Sequence, residues 1–569
     1  MSKSKKLMEV AEAYKFGYIG IDSLQKAVRE TRIAYKKLEF VLGWWYPEFN
    51  EEHFNGAPLL KAKAFDTRPV VVPPEGLQVL DELVFSDNPQ EEKVLIASLG
   101  RLFYTEYASV FDDLGKRKMS EEEFLLAARA QLIRIFTLGV TGFDTPGSLN
   151  VFEESTASLQ TLLNLYKQKG KNEAVEKQFL AAMAYLSQNQ NFDGFDRLEF
   201  LKNHIDPLYK ILKPSLVQVH DFRSYTKAWN ASSESIFDED FLDPYYFTEL
   251  SAEDNNEDLY LLGKALFYDP LISENRKMSC ATCHQPELAF TDGQAKSMSQ
   301  LQGKTVQRNA PTLLNAVYSD RYFYDLRAFT LEQQAEHVIF NSLEFNTAYA
   351  DILHKLKQKK EYQALFKKAF NGHGNMDREG FSKALAAYVM SLKSFSSPVD
   401  KYIRGEKEDL PNAVKNGFNL FMGKAACGTC HFAPTFAGLA PPFYDKNESE
   451  ILGVLESPTD HELDNDEGRH ENQIYAEQAW IYKKSFKTGS VRNVGLTSPY
   501  FHNGAYTTLE EVVDFYNEGG GAGIGLEVTN QTLPADKLNL TEKEKSDLVS
   551  FMKALTDTSS AKNLKKSNL

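Results

Sequence analysis

Two five-residue runs carry the strongest chemistry in this 569-residue chain: Cys280-Ala281-Thr282-Cys283-His284 and Cys427-Gly428-Thr429-Cys430-His431. Together they use all four cysteines. C-x-x-C-H is the c-type haem attachment pattern, in which the thiols form thioethers to the porphyrin and the next imidazole reaches the iron. Two disulfides, or one four-thiolate zinc site, are the other uses of four such cysteines. Neither explains a histidine directly after both pairs. The chain has 11 histidines, so two chance placements have odds of roughly one in a few thousand. The reading is two covalent c-type haems, with His284 and His431 as proximal ligands. The sixth position on each iron then decides function, since a strong ligand makes an electron carrier and an open position admits peroxide or oxygen.

The elements that must hold these motifs are helical. Residues 1 to about 240 contain no cysteine, and segments 92–112 and 175–187 repeat apolar residues at three- and four-residue spacing. The acidic stretch 251–258 closes a linker, and the turn-rich, charged stretch 396–417 separates the two haem motifs. Each motif follows an apolar segment, one containing Leu262-Gly263-Lys264 and the other Phe421-Met422-Gly423-Lys424. This predicts an all-α chain: an N-terminal helical bundle (1–240), then two cytochrome c-like haem domains, 241–405 and 406–569. A capping box at Thr541 and Glu544 opens the last helix. The glycine-rich run 519–525 reads as a loop, because no strand precedes it.

Residues from about 258 to 557 resemble the bacterial di-haem cytochrome c peroxidases, a family that includes the MauG-type oxidases. The resemblance is carried by LGKALFYDPLIS, SCATCHQPELAFTDG, RNAPTLLNAVY, YFYDLRAFTLEQQ, NSLEFN, the second haem motif, RNVGLTSPYFHNGAYTTLEEVVDFYNEGG and DLVSFMKALTD, in family order. It implies peroxide chemistry at the first haem, with Glu344 as the distal acid/base and Gln333 as a polar residue orienting peroxide. A carboxylate suits that task because it can take a proton from one peroxide oxygen and return it to the other. Arg492 matches an arginine near haem propionates. Asn309, Thr497 and Pro499 match the ligands of one calcium ion, mostly through carbonyl oxygens. The segment Val70–Phe85 resembles the G-x-H-x-x-E region of imelysin-like bundles, but Gln78 and Asp81 stand where that motif has His and Glu, which leaves metal or peptidase chemistry in doubt there.

Three departures sharpen the expectation. No histidine lies between Gln285 and Gln307, where many family members carry one that caps the first iron; Met298 is the one residue there with a haem-ligating side chain, and it reads as packing or surface. The first haem is therefore expected to be open without prior reduction. Fourteen residues after His502, where the family's peroxidases place an axial methionine, this chain has Tyr516, as in MauG-type enzymes. Phenolate favours ferric iron and lowers the potential. The family's inter-haem tryptophan is Tyr324, which can relay an electron only by coupling it to its phenolic proton.

The bulk numbers set limits. A net charge of −15 argues against nucleic acid as a partner. No apolar run approaches the roughly 18 residues a membrane span needs. Residues 1–16 show no secretory h-region. Covalent haem attachment takes place outside the bacterial cytoplasm, so the expectation is a leader absent from this chain and a periplasmic or extracytoplasmic location. The resemblance implies hydrogen peroxide as substrate, a small cytochrome or cupredoxin as electron donor, and a homodimer as one possible assembly. A MauG-type oxidase acting on a protein or organic substrate is the alternative. A carrier with no catalysis would need a strong protein ligand on both irons.

Overall fold

A computed structural model describes residues 1–569 except 66–67, 171, 215–227, 373–375 and 559–569. Helices dominate, as the spacing predicts. The two periodic segments become the helices Lys93–Leu114 and Glu173–Gln188. The capping box at the C-terminal helix forms: Thr541 accepts from the Glu544 amide, Glu544 takes the Thr541 amide at 2.8 Å, and the helix runs Glu542–Ala554. The all-α expectation needs one correction. Lys61–Phe65 and Arg68–Val72 pair as an antiparallel ladder, and Ser449–Glu450 pairs with Phe486–Lys487. The first ladder includes Val70–Val72, β-branched residues that favour a pleated surface over a helix. The glycine-rich run also differs from a plain loop, since Gly520–Gly523 forms a helical turn.

The two haem segments share one local architecture. The helix Glu257–Tyr268 packs on Arg378–Met390, and Asn412–Phe421 packs on Glu542–Ala554. Each crossing uses a glycine at its tightest point. A Cβ on Gly263 would strike the Ala384 carbonyl, and one on Gly417 would strike the Asp547 carbonyl. The helices approach to backbone contact there, which is the physical use of glycine at such a crossing.

One hydrophobic core runs through Phe124, Leu132, Phe179 and Phe200 of the N-terminal region into Leu266, Phe290, Phe418 and Phe551 of the haem segments. A second, smaller core around Leu7, Leu24, Leu80 and Phe103 lies wholly within the first 110 residues. The haem segments are also fastened to each other by buried polar contacts. Arg308 forks onto Asp466 at 2.7 and 2.8 Å and reaches Asp325 at 2.5 Å. Arg321 pairs with Glu477 at 3.0 Å, and Asn447 accepts from Ser319 Oγ and the Asp320 amide. No described helix is long and apolar enough to cross a membrane.

Candidate functional site

Cys280–Cys283 is a single helical turn, capped by Ser279 and Thr282, so the two thiols project from one side. His284 follows, and its Nδ1 lies 2.9 Å from the Phe290 carbonyl oxygen. Ala289 and Phe290 both take left-handed φ values, 53° and 60°, in the turn that brings this carbonyl back to the ring. At the second motif, His431 Nδ1 lies 2.9 Å from the Gly489 carbonyl oxygen. Burial lowers the pKa of both imidazoles, favouring the neutral form. A neutral ring whose Nδ1–H is held by a carbonyl presents its Nε2 lone pair outward, which is the tautomer and orientation a metal-ligating histidine needs.

The four thiols are unpaired. Among the described residues they form no shared metal cluster, so neither disulfides nor a four-thiolate zinc site is built. Burial pushes Cys280 and Cys283 up to about 12 and about 11, and the charge of Glu344 adds to both. That carboxyl therefore lies within electrostatic reach of the first motif. Glu344 itself is raised to about 7 by burial, against the opposing pull of Arg327 and a 2.8 Å hydrogen bond from the Asn341 amide. A carboxyl poised near neutrality beside a candidate haem pocket is suited to proton exchange at physiological pH.

The segment that lacks a capping histidine folds as a hairpin, with Met298 bridged to Thr305. It is tied to the turn before Glu344: Ser299 Oγ donates to the Leu343 carbonyl at 2.6 Å, and the Gln300 amide reaches the same oxygen at 3.0 Å. Met298 is 72% exposed, so its thioether faces solvent and not the first haem pocket. Gln333 differs from its expected position. Its side-chain oxygen accepts from the Phe329 amide at 2.7 Å and is engaged at the start of the helix Leu331–Phe340. Helical periodicity puts Gln334, the next residue, in line with His337 and with Asn341, the residue that holds Glu344. The signal was present in the sequence as the seven-residue spacing from Gln334 to Asn341.

At the second motif, Tyr516 lies on the helix Leu509–Asn517, which opens with a Thr508–Glu511 capping box. Burial, then the charges of Cys430 and Cys427, push its phenol well above the usual range. Its ring packs beside Phe501 and Phe515. Tyr516 thus lies within electrostatic reach of both thiols. Carboxyls lie at this motif too: Glu450 shares a hydrogen bond with Cys430 and adds its charge to Cys430 and Tyr516, and Glu448 adds a further charge to Cys430.

Tyr324 is half-buried on the seam between the haem segments, where its carbonyl accepts from the Lys487 amide at 2.7 Å. Its hydroxyl lies 3.5 Å from Asn309 Oδ1, a neutral acceptor. Arg492 was expected near haem propionates; its guanidinium forks onto Asp400 at 2.7 and 2.8 Å and reaches the Pro434 carbonyl at 2.7 Å. Three of its five donors are thus held by protein, and the arginine acts first as a buried brace. Asn309 donates its side-chain amide to the Gln294 carbonyl, leaving Oδ1 facing Tyr324, and its backbone amide binds the His502 carbonyl.

Sequence reasoning missed the cluster formed by Asp464, Asp466 and His502. His502 Nε2 lies 3.1 Å from Asp464 Oδ1, and its ring stacks on Phe486 with centroids 3.5 Å apart. Arg308 and the Gly468 amide saturate Asp466, while the Asp466 amide and Asn503 serve Asp464. With its acceptors so occupied, the cluster works as a hydrogen-bonded seam. The spaced acidic pair Asp464-x-Asp466 was its one legible signal.

The residues at both motifs fit haem: neutral imidazoles fixed through Nδ1, each beside two thiols on one turn. The family model for di-haem cytochrome c peroxidase matches residues 257–408. Cytochrome-c peroxidase IdrP1 of Pseudomonas sp. (strain SCT) is 32% identical over 311 residues, covering 52% of this chain and 80% of that protein. Methylamine utilization protein MauG of Methylorubrum extorquens is 32% identical over 294 residues, covering 52% of this chain and 77% of its own. Among solved structures, a MauG-like protein associated with microbial copper homeostasis is 27% identical with a TM-score of 0.47, over 55% of this chain and 94% of that one.

Proposed function

Because the chain belongs to the di-haem cytochrome c peroxidase family, we propose that it reduces hydrogen peroxide to water with electrons from a small cytochrome or cupredoxin. The observation that carries this reading is the asymmetry of two otherwise matched sites. Glu344, raised to about 7 and held by Asn341, acts on the thiols of the Cys280–Cys283–His284 site, whereas a tyrosine, Tyr516, packs within electrostatic reach of the thiols of the Cys427–Cys430–His431 site. Haem bound covalently at each motif supplies the iron that breaks the peroxide O–O bond and carries electrons. Cys280 and Cys283 would anchor the first group and His284 Nε2 would ligate it; Cys427, Cys430 and His431 would do the same for the second, with Tyr516 as a further ligand.

Glu344 would accept a proton from one peroxide oxygen and return it to the other, so that water leaves instead of hydroxide. Asn341 holds that carboxyl in place, and Gln334 is aligned to orient peroxide in the role first expected of Gln333. Tyr324 lies between the sites. Its hydroxyl donates at 3.5 Å to the amide oxygen of Asn309, a weak base, so it serves the electron route better as a packed bridge than as a proton-releasing relay. One calcium ion belongs to the same reading, held by Asn309 Oδ1 and the carbonyls of Thr497 and Pro499, a set of neutral oxygens that suits a hard cation. The setting is extracytoplasmic.

Steady-state peroxide consumption with reduced cytochrome or cupredoxin donors tests the proposal. Peroxide that oxidises the haems while donor-driven turnover stays negligible across several donors would sink it. Tyr516 favours a second reading, oxidation of a protein or organic substrate in the MauG manner, because a phenolate ligand stabilises oxidised iron. That reading predicts the same first step with little donor turnover.

A further inference from the structure

The N-terminal region holds a buried polar cluster that the peroxidase chemistry does not use. Gly76 takes a φ of +102°, and a Cβ there would meet the Phe54 carbonyl at 2.8 Å. The following helix, Leu77–Val84, presents Gln78 and Asp81 three residues apart on one face. These are the positions where an imelysin-like bundle has its His and Glu.

Here both side chains grip a loop. Gln78 Nε2 donates to the Phe143 carbonyl at 2.6 Å. Asp81 Oδ2 accepts from the Gly147 and Ser148 amides at 3.0 and 2.9 Å. Gly147 is needed for that grip, since a Cβ would lie 2.6 Å from the Asp81 carbonyl oxygen. Between them, Asp144 is held by Lys36 Nζ at 2.5 Å and by Asn55 at 2.9 Å.

The donor set does not suit a metal ion. A cation is already present: Arg32, fully buried, lies 4.0 Å from Asp81 Oδ1 and forks onto Glu154 at 2.7 and 3.0 Å. Gln78 turns its amide nitrogen, a donor, to its one partner. Gln78 Oε1 and Asp81 Oδ1 are left buried without hydrogen-bond partners, which is unfavourable for each. Such a cluster is a poor source of stability and a good way to fix one geometry.

What it fixes adjoins the second haem site. The ring of Phe143 meets Phe432 edge-on, with centroids 5.8 Å apart. Phe432 is buried and directly follows His431. The π-helical turn Ile135–Gly139, just before this loop, packs against Cys427–Thr429. Nearby, the Leu198 amide donates to Asn419 Oδ1, and Asn419 donates to Asp196, both at 3.0 Å. The N-terminal bundle therefore braces the second motif from behind.

We infer that Gln78 and Asp81 are positioning residues for the second haem, acting through Phe143 and Phe432 on His431. The N-terminal domain is then a fixed support of that haem and not a separate metal-binding or peptidase module. This rests on the reading above that Cys427–Cys430–His431 carries haem.

The test uses the full-length, haem-loaded chain. A pyridine haemochrome assay first counts c-type haems; fewer than two in the unaltered chain overturns the functional reading and this inference with it. With two present, the Gln78→Leu and Phe143→Leu variants are compared by potentiometric titration and low-temperature EPR. Each should change the reduction equilibrium of the second haem threefold or more and move its low-spin EPR g-values, while the first haem's signal stays unchanged. Phe143→Tyr, which keeps the ring edge, should retain the unaltered signature. Should Gln78→Leu fail to fold, Phe143→Leu reads the same contact from a half-buried position. Two intact haems with an unmoved second-haem signature in Phe143→Leu overturn the inference. So does one equivalent of zinc, retained after dialysis by the unaltered chain and lost in Asp81→Ala.

Discussion

The side-chain amide of Asn341 donates to Glu344 Oε1 at 2.8 Å, so the turn that presents the candidate acid/base also fixes its orientation. The same turn is clamped from outside by Ser299 and Gln300 of the neighbouring hairpin. The carboxyl is thus held beside Cys280 and Cys283 by backbone and side-chain contacts together.

Burial raises Glu344 to about 7, while Arg327 and Asn341 pull the other way. The proton-accepting carboxylate therefore accumulates as pH rises through about 7. The rate of reaction with peroxide should climb between pH 6 and pH 8 in stopped-flow measurements. Glu344→Gln should slow it by roughly 10²–10⁴-fold, the usual contribution of a general acid/base. Asn341→Leu removes a bond to the charged form and should move the midpoint to higher pH. An unchanged rate in Glu344→Gln removes this residue from the reaction.

Tyr516 lies within electrostatic reach of Cys427 and Cys430. Replacing phenolate by thioether destabilises ferric iron relative to ferrous. Tyr516→Met should raise the second haem's midpoint potential and alter its optical spectrum. Identical spectroelectrochemistry in the two proteins would show that Tyr516 is not a ligand.

Arg308 joins Asp325 to Asp466 across the seam between the haem segments. Arg308→Ala leaves the largely buried Asp466 without its cation and Asp325 with Arg327 alone, and should cost about 3 kcal/mol in denaturant unfolding, the low end for breaking such a pair. Arg308→Lys keeps the charge but loses the fork, and should recover part of that loss. A variant as stable as the parent would mean that the seam is held elsewhere.

Burial acts to raise Glu477, but Arg469 and Arg321 outweigh it and bring the carboxyl down to about 2 from 4.5. Its folded-state pKa is depressed, so its stabilisation is present above pH 4.5 and is lost as pH falls toward about 2. Thermal melts of Glu477→Gln and the parent should differ most near neutral pH and converge near pH 2. A gap that stays constant across this window would assign the difference to packing instead of charge.

Elemental analysis of the purified chain should find about one calcium per chain by the ligand count of the proposed site. Asn309→Ala should lower that content. An unaltered chain free of calcium, even after equilibration with the ion, would remove the site.

Much of the chemistry was legible because it is local. Cys-x-x-Cys-His, the Thr541–Glu544 box and the helical spacing of 92–112 each specify a structure within a few residues, and covalent or hydrogen-bond geometry leaves few alternatives. Adjacent glutamines were harder. Gln333 and Gln334 differ by 100° around one helix, and only the bond from the Phe329 amide to Gln333 shows which is engaged at the helix start.

The sequence by itself determined two haem-binding motifs, a helical chain and a tyrosine in place of an axial methionine. Tertiary structure alone decided that Asn341 holds Glu344, that Met298 is exposed and not packed, and that Arg492 is engaged by Asp400. It also decided that Gln78 and Asp81, far from either motif in sequence, grip the loop whose Phe143 reaches Phe432. Motif chemistry is written in neighbouring residues. Burial, charge and contact between residues distant in the chain arise only when the packed core brings them together, and those set the pKa of Glu344 and the surroundings of His431.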